Sequence, residues 1–407
     1  MATPYRELFQ APGTKAFTLA GLVARVPLPM TGIGIITMLS QQYGSYALAG
    51  IVSATFVLTY ALVSPQISRL VDQHGQRRVL RVATFISVTG LLMLISCSFY
   101  GAPYWSLFIG ALLAGFMPSM SAMVRARWSW LYRGQPRLQA AYSLETVFDE
   151  VTFIVGPPLS VGLSVMVQPQ AALVVAALIL LLGASALSAQ RATEPPAQPH
   201  ESHAHSRSVI RMASVRLLTL LMVAMGVIVG TVDVVSVAFA QDLDRPAAAS
   251  FVLSAYAIGS CVSGLVFGAL QLKAPLHQQL LLGTLATTAT TAPLIVVASI
   301  PSLAVAVLVA GLFFAPTMIV AMTLIERSVP EQNLTEGMTW LLAGLNVGVA
   351  LGAAVSGQLV DEISARAGFY LSLTAGAAVL AIGLLAWMRL RADARPPSRQ
   401  CDSTLSI

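Results

Sequence analysis

Charge is scarce in this sequence. Only 10% of its 407 residues are Asp, Glu, Lys or Arg, where a soluble globular chain carries about 25%. A surface built from so few charges cannot be mostly wet, which argues against an ordinary soluble enzyme and against a disordered scaffold. Cysteine is scarcer still. Cys97, Cys261 and Cys401 stand far apart, two of them in apolar stretches. Neither a disulfide framework nor a zinc site is expected. Also missing are H-E-x-x-H, G-x-S-x-G and G-x-x-x-x-G-K-[ST]. Without the last, ATP hydrolysis through a P-loop is excluded, and uphill work must draw on an ion gradient. No enzymatic activity and no cofactor are expected, and the net charge of +6 is read by location rather than as a nucleic-acid footprint.

What the chain has in excess is apolar length: 56% of it is hydrophobic and its mean hydropathy is +0.77. A membrane-spanning helix needs roughly 20 mostly apolar residues. Twelve such runs are expected, at 16–41, 46–68, 79–100, 103–127, 138–167, 170–189, 214–240, 249–270, 276–299, 302–326, 336–360 and 368–389. The fold class is therefore an all-α integral membrane protein with about twelve transmembrane helices. Met1 to Lys15 lacks the basic flank of a cleavable signal, so the first run reads as a retained helix.

The charges then orient the chain. With the N-terminus in the cytoplasm, only Arg245 and Arg366 of the 23 Lys and Arg fall in outer loops, and Arg25 lies within the first span. The remaining 20, including Arg125, Arg127, Arg133 and Arg137, fall in or beside cytoplasmic segments. That asymmetry is the positive-inside pattern and places both termini in the cytoplasm. Residues 190–213 are the one long connection, polar and with Pro195, Pro196 and Pro199. They read as a flexible linker that divides the chain into 1–189, six spans, and 214–389, six spans, with a tail at 390–407. His200, His203 and His205 cluster in the linker. No Cys or paired acid completes a ligand set there, so no metal is expected.

Twelve spans, a central linker and inner termini resemble the major facilitator superfamily of secondary transporters. Between spans two and three, Leu70, Asp72, Gly75 and Arg77 match that family's G-x-L-x-D-R-x-G-R-[RK] signature, while Ser68, Gln73 and Gln76 depart from it. The resemblance implies two pseudo-symmetric six-helix bundles, with Asp72 meeting the start of span eleven near Thr335 to Gly337 as a latch. A helix N-terminus favours a nearby anion by about 0.3–1 kcal/mol, a scale suited to a contact that must open. On the residues alone, Gly75 permits the tight turn, and Arg77 and Arg78 hold it at an anionic surface. The alternative is a basic loop that only sets topology. In span five, Gly156 and Pro157 resemble the Gly-Pro pattern of the family's antiporters. Pro157 removes a backbone donor and is expected to kink the helix, while Gly156 permits close packing. The Arg that drug exporters of this family place in span four is absent; Ala111 stands there.

Charges within the membrane cost about 2.5–3.5 kcal/mol each and are functional candidates by default. Arg25 is about ten residues into span one, roughly 15 Å deep. Asp149 and Glu150 lie at similar depth in span five, with Glu145 one turn nearer the cytoplasm. Positions 145, 149, 152 and 156 share one helix face, and Glu150 is turned about 100° away. One acid is expected to pair with Arg25 and another to reach the central cavity. A carboxyl in a dry site favours its neutral form and an adjacent guanidinium favours the charged one, so moving either during a conformational change trades a proton. Glu145, Asp149, Glu150, Arg25 and Asp233 are the proton-coupling candidates. The alternative is a static ion pair. Asp233 in span seven, with Ser236 and with Asn346 in span eleven, forms the candidate substrate contacts. Small residues recur every fourth position in span eleven (Gly344, Gly348, Gly352, Ser356) and span eight (Ser260, Gly264, Gly268), serving either sliding contacts between halves or packing within one.

These readings converge on a proton-coupled exporter of small, fairly apolar organic molecules in a bacterial inner membrane. It works by alternating access as a monomer, with protons, the solute and the lipid bilayer as its partners. The alternatives are a proton symporter importing an organic acid or sugar through Arg25, and a non-transporting membrane sensor or assembly protein.

Overall fold

The computed structural model describes residues 3–44, 46–197, 208–245, 248–270, 272 and 274–393. Long apolar runs become long helices because lipid leaves the backbone no other partner for its polar groups. In chain order these are α1 (Thr3–Leu8), α2 (Thr14–Arg25), α3 (Pro27–Tyr43), α4 (Tyr46–His74), α5 (Gln76–Phe99), α6 (Tyr104–Ala114), α7 (Met120–Tyr132), α8 (Arg137–Met166) and α9 (Ala171–Ala189). After the linker follow α10 (Ala213–Asp242), α11 (Ala248–Ala269), α12 (Leu276–Thr291), α13 (Ile300–Ser328), α14 (Leu334–Glu362) and α15 (Ala365–Asp393).

Twelve spans result, because α2–α3 and α6–α7 are broken single crossings. Among the described residues, 10 are long and apolar enough by length and composition alone. The other two are α8, whose charges lower its hydropathy, and α6–α7. Pro118 sits in the five-residue break between α6 and α7; its ring and missing N–H stop a helix from continuing. In the first crossing Pro27 takes the first position of α3, where its missing N–H is tolerated. Arg25 therefore closes α2 at a helix break in mid-membrane. α8, by contrast, runs unbroken through Pro157 and Pro158.

Helices α2–α9 pack among themselves, as do α10–α15. The main bridges between the two sets are α4 on α14 and α8 on α11. These are spans two with eleven and five with eight, and exchanging equivalent spans of the two halves turns one pair into the other. Side chains such as Leu62, Phe85 and Leu182, 66–72% exposed, cover the outside. A soluble protein avoids so continuous an apolar surface, and a bilayer requires it.

The two ends of the molecule differ. The end carrying the linker is closed. In α8 almost every position from Leu138 to Val147 is buried there, but beyond Asp149 only Thr152, Gly156, Ser160 and Ser164 are. In α14 the described residues from Asn333 to Gly344 are almost all buried, and beyond them only Gly348, Gly352 and Ser356. Each far-end stripe lies against its own bundle: Ser160 donates to the Met30 carbonyl at 2.9 Å, and a Cβ on Gly348 would meet the Val223 carbonyl at 2.1 Å. The symmetry-related spans five and eleven therefore touch the opposite bundle near the linker end and part from it at the far end, leaving a space open there.

Candidate functional site

The charged residues of the first half converge on one buried cluster. On α7, Ser121, Arg125 and Trp128 are spaced four and three residues apart and share a face. Glu145 and Asp149 share a face of α8 in the same way. Arg25 enters from the break after α2. Its guanidinium bonds Glu145 and lies 3.0 Å from Asp149. Its Nε donates to the Gly21 carbonyl at 3.2 Å. Arg125 reaches the second oxygen of Asp149 at 2.7 Å, Ser121 donates to the first, and the Trp128 indole donates to Glu145 at 2.8 Å. Two guanidinium groups and two carboxylates cancel in charge. Each carboxylate has two or more donors, which is the condition for tolerating charges out of water. Two nitrogens of Arg125 lack a protein partner, so one side of the cluster retains capacity for hydrogen bonds.

Sequence reasoning missed Arg125 and Trp128, which are fully buried. By sequence, Arg125 and Arg127 count among the cations in or beside a cytoplasmic segment that orient the chain. Instead Arg127 is also fully buried and bonds Gln76 at 2.8 Å, Thr193 at 2.9 Å and the carbonyls of Leu187 and Gln190 at 3.0 and 3.1 Å. The spacing of Ser121, Arg125 and Trp128 was the available signal.

Glu150 stands outside the balanced cluster. Turned away from Asp149, it accepts from Ser260 of α11 at 2.9 Å, across the junction of the two bundles and at the floor of the open space. Asp233 of α10 is exposed, two to three turns before the end of its helix at Asp242. Its charge acts on Glu150. Neither acid takes part in any ion pair among the described residues. Ser236 is fully buried with no partner for its hydroxyl, so it does not meet the open space in this state. Asn346 is half-buried and donates to the Leu342 carbonyl at 3.0 Å.

The linker end is held shut by bonds between the bundles. Asp72 accepts from the backbone N–H of Thr335 at 3.3 Å and of Glu336 at 2.9 Å, at the first turn of α14, where four N–H groups lack helical partners. Ser68, standing where the family signature has Gly, meets Thr339 at 2.7 Å. Arg133 pairs with Glu326 at 3.1 Å and Glu331 at 2.9 Å. Tyr5 donates to the Leu265 carbonyl at 2.6 Å, and burial pushes its phenol up to about 12, so it remains a donor. Gly75 adopts φ +86°, and Glu194 of the linker accepts from the Arg77 N–H at 2.7 Å. Arg77 is half-buried and Arg78 exposed. Asp72, Gln76, Arg133, Pro195, Pro196 and Thr335 help line a cavity of about 130 Å³ beside the Asp72 contact. Glu326 and Glu336 are buried here at 4% and 1% exposure. Glu336 accepts from Ser208 and from the Val209 N–H.

The glycine stripes divide between the two roles. Those of α14 pack within one bundle, against Thr219, Val223 and Val227 of α10. On α11, Gly264 lies between Ala315 of its own bundle and Val147 of the other, and Gly268 lies beside Ser143 of the other. Gly156 lies on Pro29, within the first bundle. His200, His203, His205 and Cys401 fall outside the described residues. Among the described residues no group of His, Cys, Asp and Glu is arranged to hold a metal ion.

The profile of the Major Facilitator Superfamily matches residues 17–243 and again 217–404. Solved structures agree in fold. The E. coli fucose:proton symporter FucP superposes with TM-score 0.71 at 12% identity, over 93% of this chain and 99% of that one. A bacterial homologue of the iron transporter ferroportin, in an outward-facing state, gives 0.72 at 14%, over 94% and 100%. The human organic anion transporter MFSD10 gives 0.68 at 15%, over 93% and 100%. No curated protein matches at a significant level.

Proposed function

The chain belongs to the Major Facilitator Superfamily, and within that fold we propose that it exports small, fairly apolar organic molecules in exchange for protons. The positive-inside bias puts the linker end in the cytoplasm of a bacterial inner membrane, so the state described above is open to the outside. Residues 1–189 and 214–389 are the two rocking bodies, joined by 190–213, with 390–407 as a cytoplasmic tail. Asp72, with Gly75, Arg77 and Arg78 shaping its loop, is the inner latch. Gly156 lets α8 pack closely on Pro29 of α3, so that the first body moves as a unit.

The observation that carries this reading is the contrast between neighbours on α8. Asp149 and Glu145 are neutralised by Arg25 and Arg125. Glu150 has only a hydroxyl from the other body, Ser260. Rocking separates α8 from α11 and removes that hydroxyl, which alters the stability of the carboxylate and lets Glu150 take a proton on one side and lose it on the other. Asp233 supplies a second exchangeable site. The balanced cluster keeps the rest of α8 charged but static.

The symport reading needs Arg25 to bind a substrate anion. Arg25 is 4% exposed and already engaged by two carboxylates, which favours export. The test is counterflow in proteoliposomes, first without and then with an imposed proton gradient, on a panel of solutes. Glu150→Gln is expected to keep exchange at equal pH and lose accumulation driven by the gradient. Undiminished accumulation in Glu150→Gln would overturn the proposal.

A further inference from the structure

The cavity of about 130 Å³ at the linker end lies between three separate parts of the chain. The first bundle contributes Val71 of α4 and Trp130 of α7, the second Gln332 and Leu334 at the start of α14, and the linker Pro195 and Pro196. The linker wall is pinned. Arg127 donates to the Thr193 hydroxyl at 2.9 Å, and Glu194 accepts from the Arg77 N–H at 2.7 Å, directly before the two prolines. A proline has no N–H, so this wall offers rings and carbonyls but no donor.

The charges around the cavity are already answered. Asp72 accepts from the N–H groups of Thr335 and Glu336. Arg133 pairs with Glu326 and Glu331. Gln76 is engaged at both ends of its amide, donating to the Met123 carbonyl at 3.1 Å and accepting from Arg127 at 2.8 Å. Ser129 is the exception. It lines the cavity and is 1% exposed, and its hydroxyl has no partner. A buried polar group left unpaired is costly, and a hydroxyl can both donate and accept.

Size and lining restrict the occupant. A cavity of about 150 Å³ holds one benzene ring. Trp130, half-exposed on α7, and the two prolines offer flat apolar faces to such a ring. An ion entering here would lose its water and find every opposite charge already paired, which disfavours both signs.

We propose that this cavity binds an uncharged molecule of one aromatic ring, whose amide or hydroxyl group bonds Ser129. Its walls come from both bundles, so the cavity is complete only while the linker end is closed. An occupant therefore binds one state and not the other, holds that end shut and slows any cycle that must open it. The site is at the opposite end from the open space and independent of the solute and protons handled there.

The test uses the full chain in lipid nanodiscs, with benzamide, benzoate and benzamidine as probes of nearly equal shape and different charge. Saturable binding of benzamide is expected by ligand-detected NMR, with weaker binding of the two ions. Ser129→Ala should weaken benzamide about three- to tenfold, the scale of one hydrogen bond, and Trp130→Ala should weaken it by a similar factor. Cysteine labelling at Ser68→Cys, with reagent applied at the linker end, reads the state. At ten times its dissociation constant, a ligand confined to the closed state should slow that labelling about elevenfold. Absence of saturable benzamide binding, an ion that binds as tightly, affinity unaltered in both variants, or labelling unmoved by saturating benzamide would overturn the proposal. Weakened binding in a variant counts in its favour where the unfolding temperature matches the parent's. Where it does not, labelling of Ser68→Cys alone with the three probes decides, since no cavity residue is altered there.

Discussion

Arg125 donates to Asp149 at 2.7 Å across the α7–α8 contact, inside a cluster where Arg25 takes the other oxygen of the same carboxylate. One acid thus joins α2, α7 and α8. The arrangement costs desolvation of four ionised groups and is tolerated because every carboxylate oxygen has a donor. Removing a single partner is therefore worse than removing a pair.

Arg125→Met is expected to destabilise the protein by about 3–5 kcal/mol, since it strands charge in the bundle. Adding Asp149→Asn should recover part of the loss. Denaturant or thermal unfolding in detergent reads both, and the cycle fails if the two effects simply add.

Asp72→Ala leaves the N–H groups of Thr335 and Glu336 without an acceptor. A lost helix cap costs about 1 kcal/mol, or roughly fivefold in the ratio of the two openings. Labelling of a cysteine at Ser68, a buried position against Thr339, should rise by that factor when the reagent is applied at the linker end. An unchanged rate would remove Asp72 from the latch.

Two glycines separate stability from conformational preference. Gly348→Leu drives a side chain into the Val223 carbonyl of its own bundle and should lower the unfolding temperature. Gly268→Leu meets Ser143 of the other bundle and the Tyr5 hydroxyl. It should hold the linker end open, with faster labelling at Ser68→Cys and a smaller change in unfolding temperature.

Arg127→Lys replaces a planar fork with a point charge that cannot reach acceptors on three segments. Hydrogen exchange should quicken across 187–194, where Arg127 holds Leu187, Gln190 and Thr193. Protection equal to the parent would mean that those bonds do not hold the linker in place.

The spans were legible because each is a local property, and most of their limits agree with the helices to within a few residues, the widest gap being at 276–299, where α12 ends at Thr291. The breaks were less so. The first crossing was read as one run across Pro27, and the fourth as one run across Pro118, because hydropathy does not register a missing N–H. Arg125 stood near the end of an apolar run and looked like a loop charge. In fact α7 carries it into the bundle, where Asp149 and Thr146 meet it. The Asp72 contact was anticipated by resemblance, from a motif whose turn depends on Gly75. The stripes of small residues were visible as spacing, but spacing does not say which neighbour lies opposite.

The sequence by itself determined that this chain crosses a membrane about twelve times with its cations gathered at one end, since solubility in hydrocarbon is settled segment by segment. Only the tertiary structure decided which acids are neutralised. Glu145, Asp149 and Glu150 lie within six positions on one helix, but their environments are set by the lateral placement of α2, α7 and α11, which no spacing along α8 encodes.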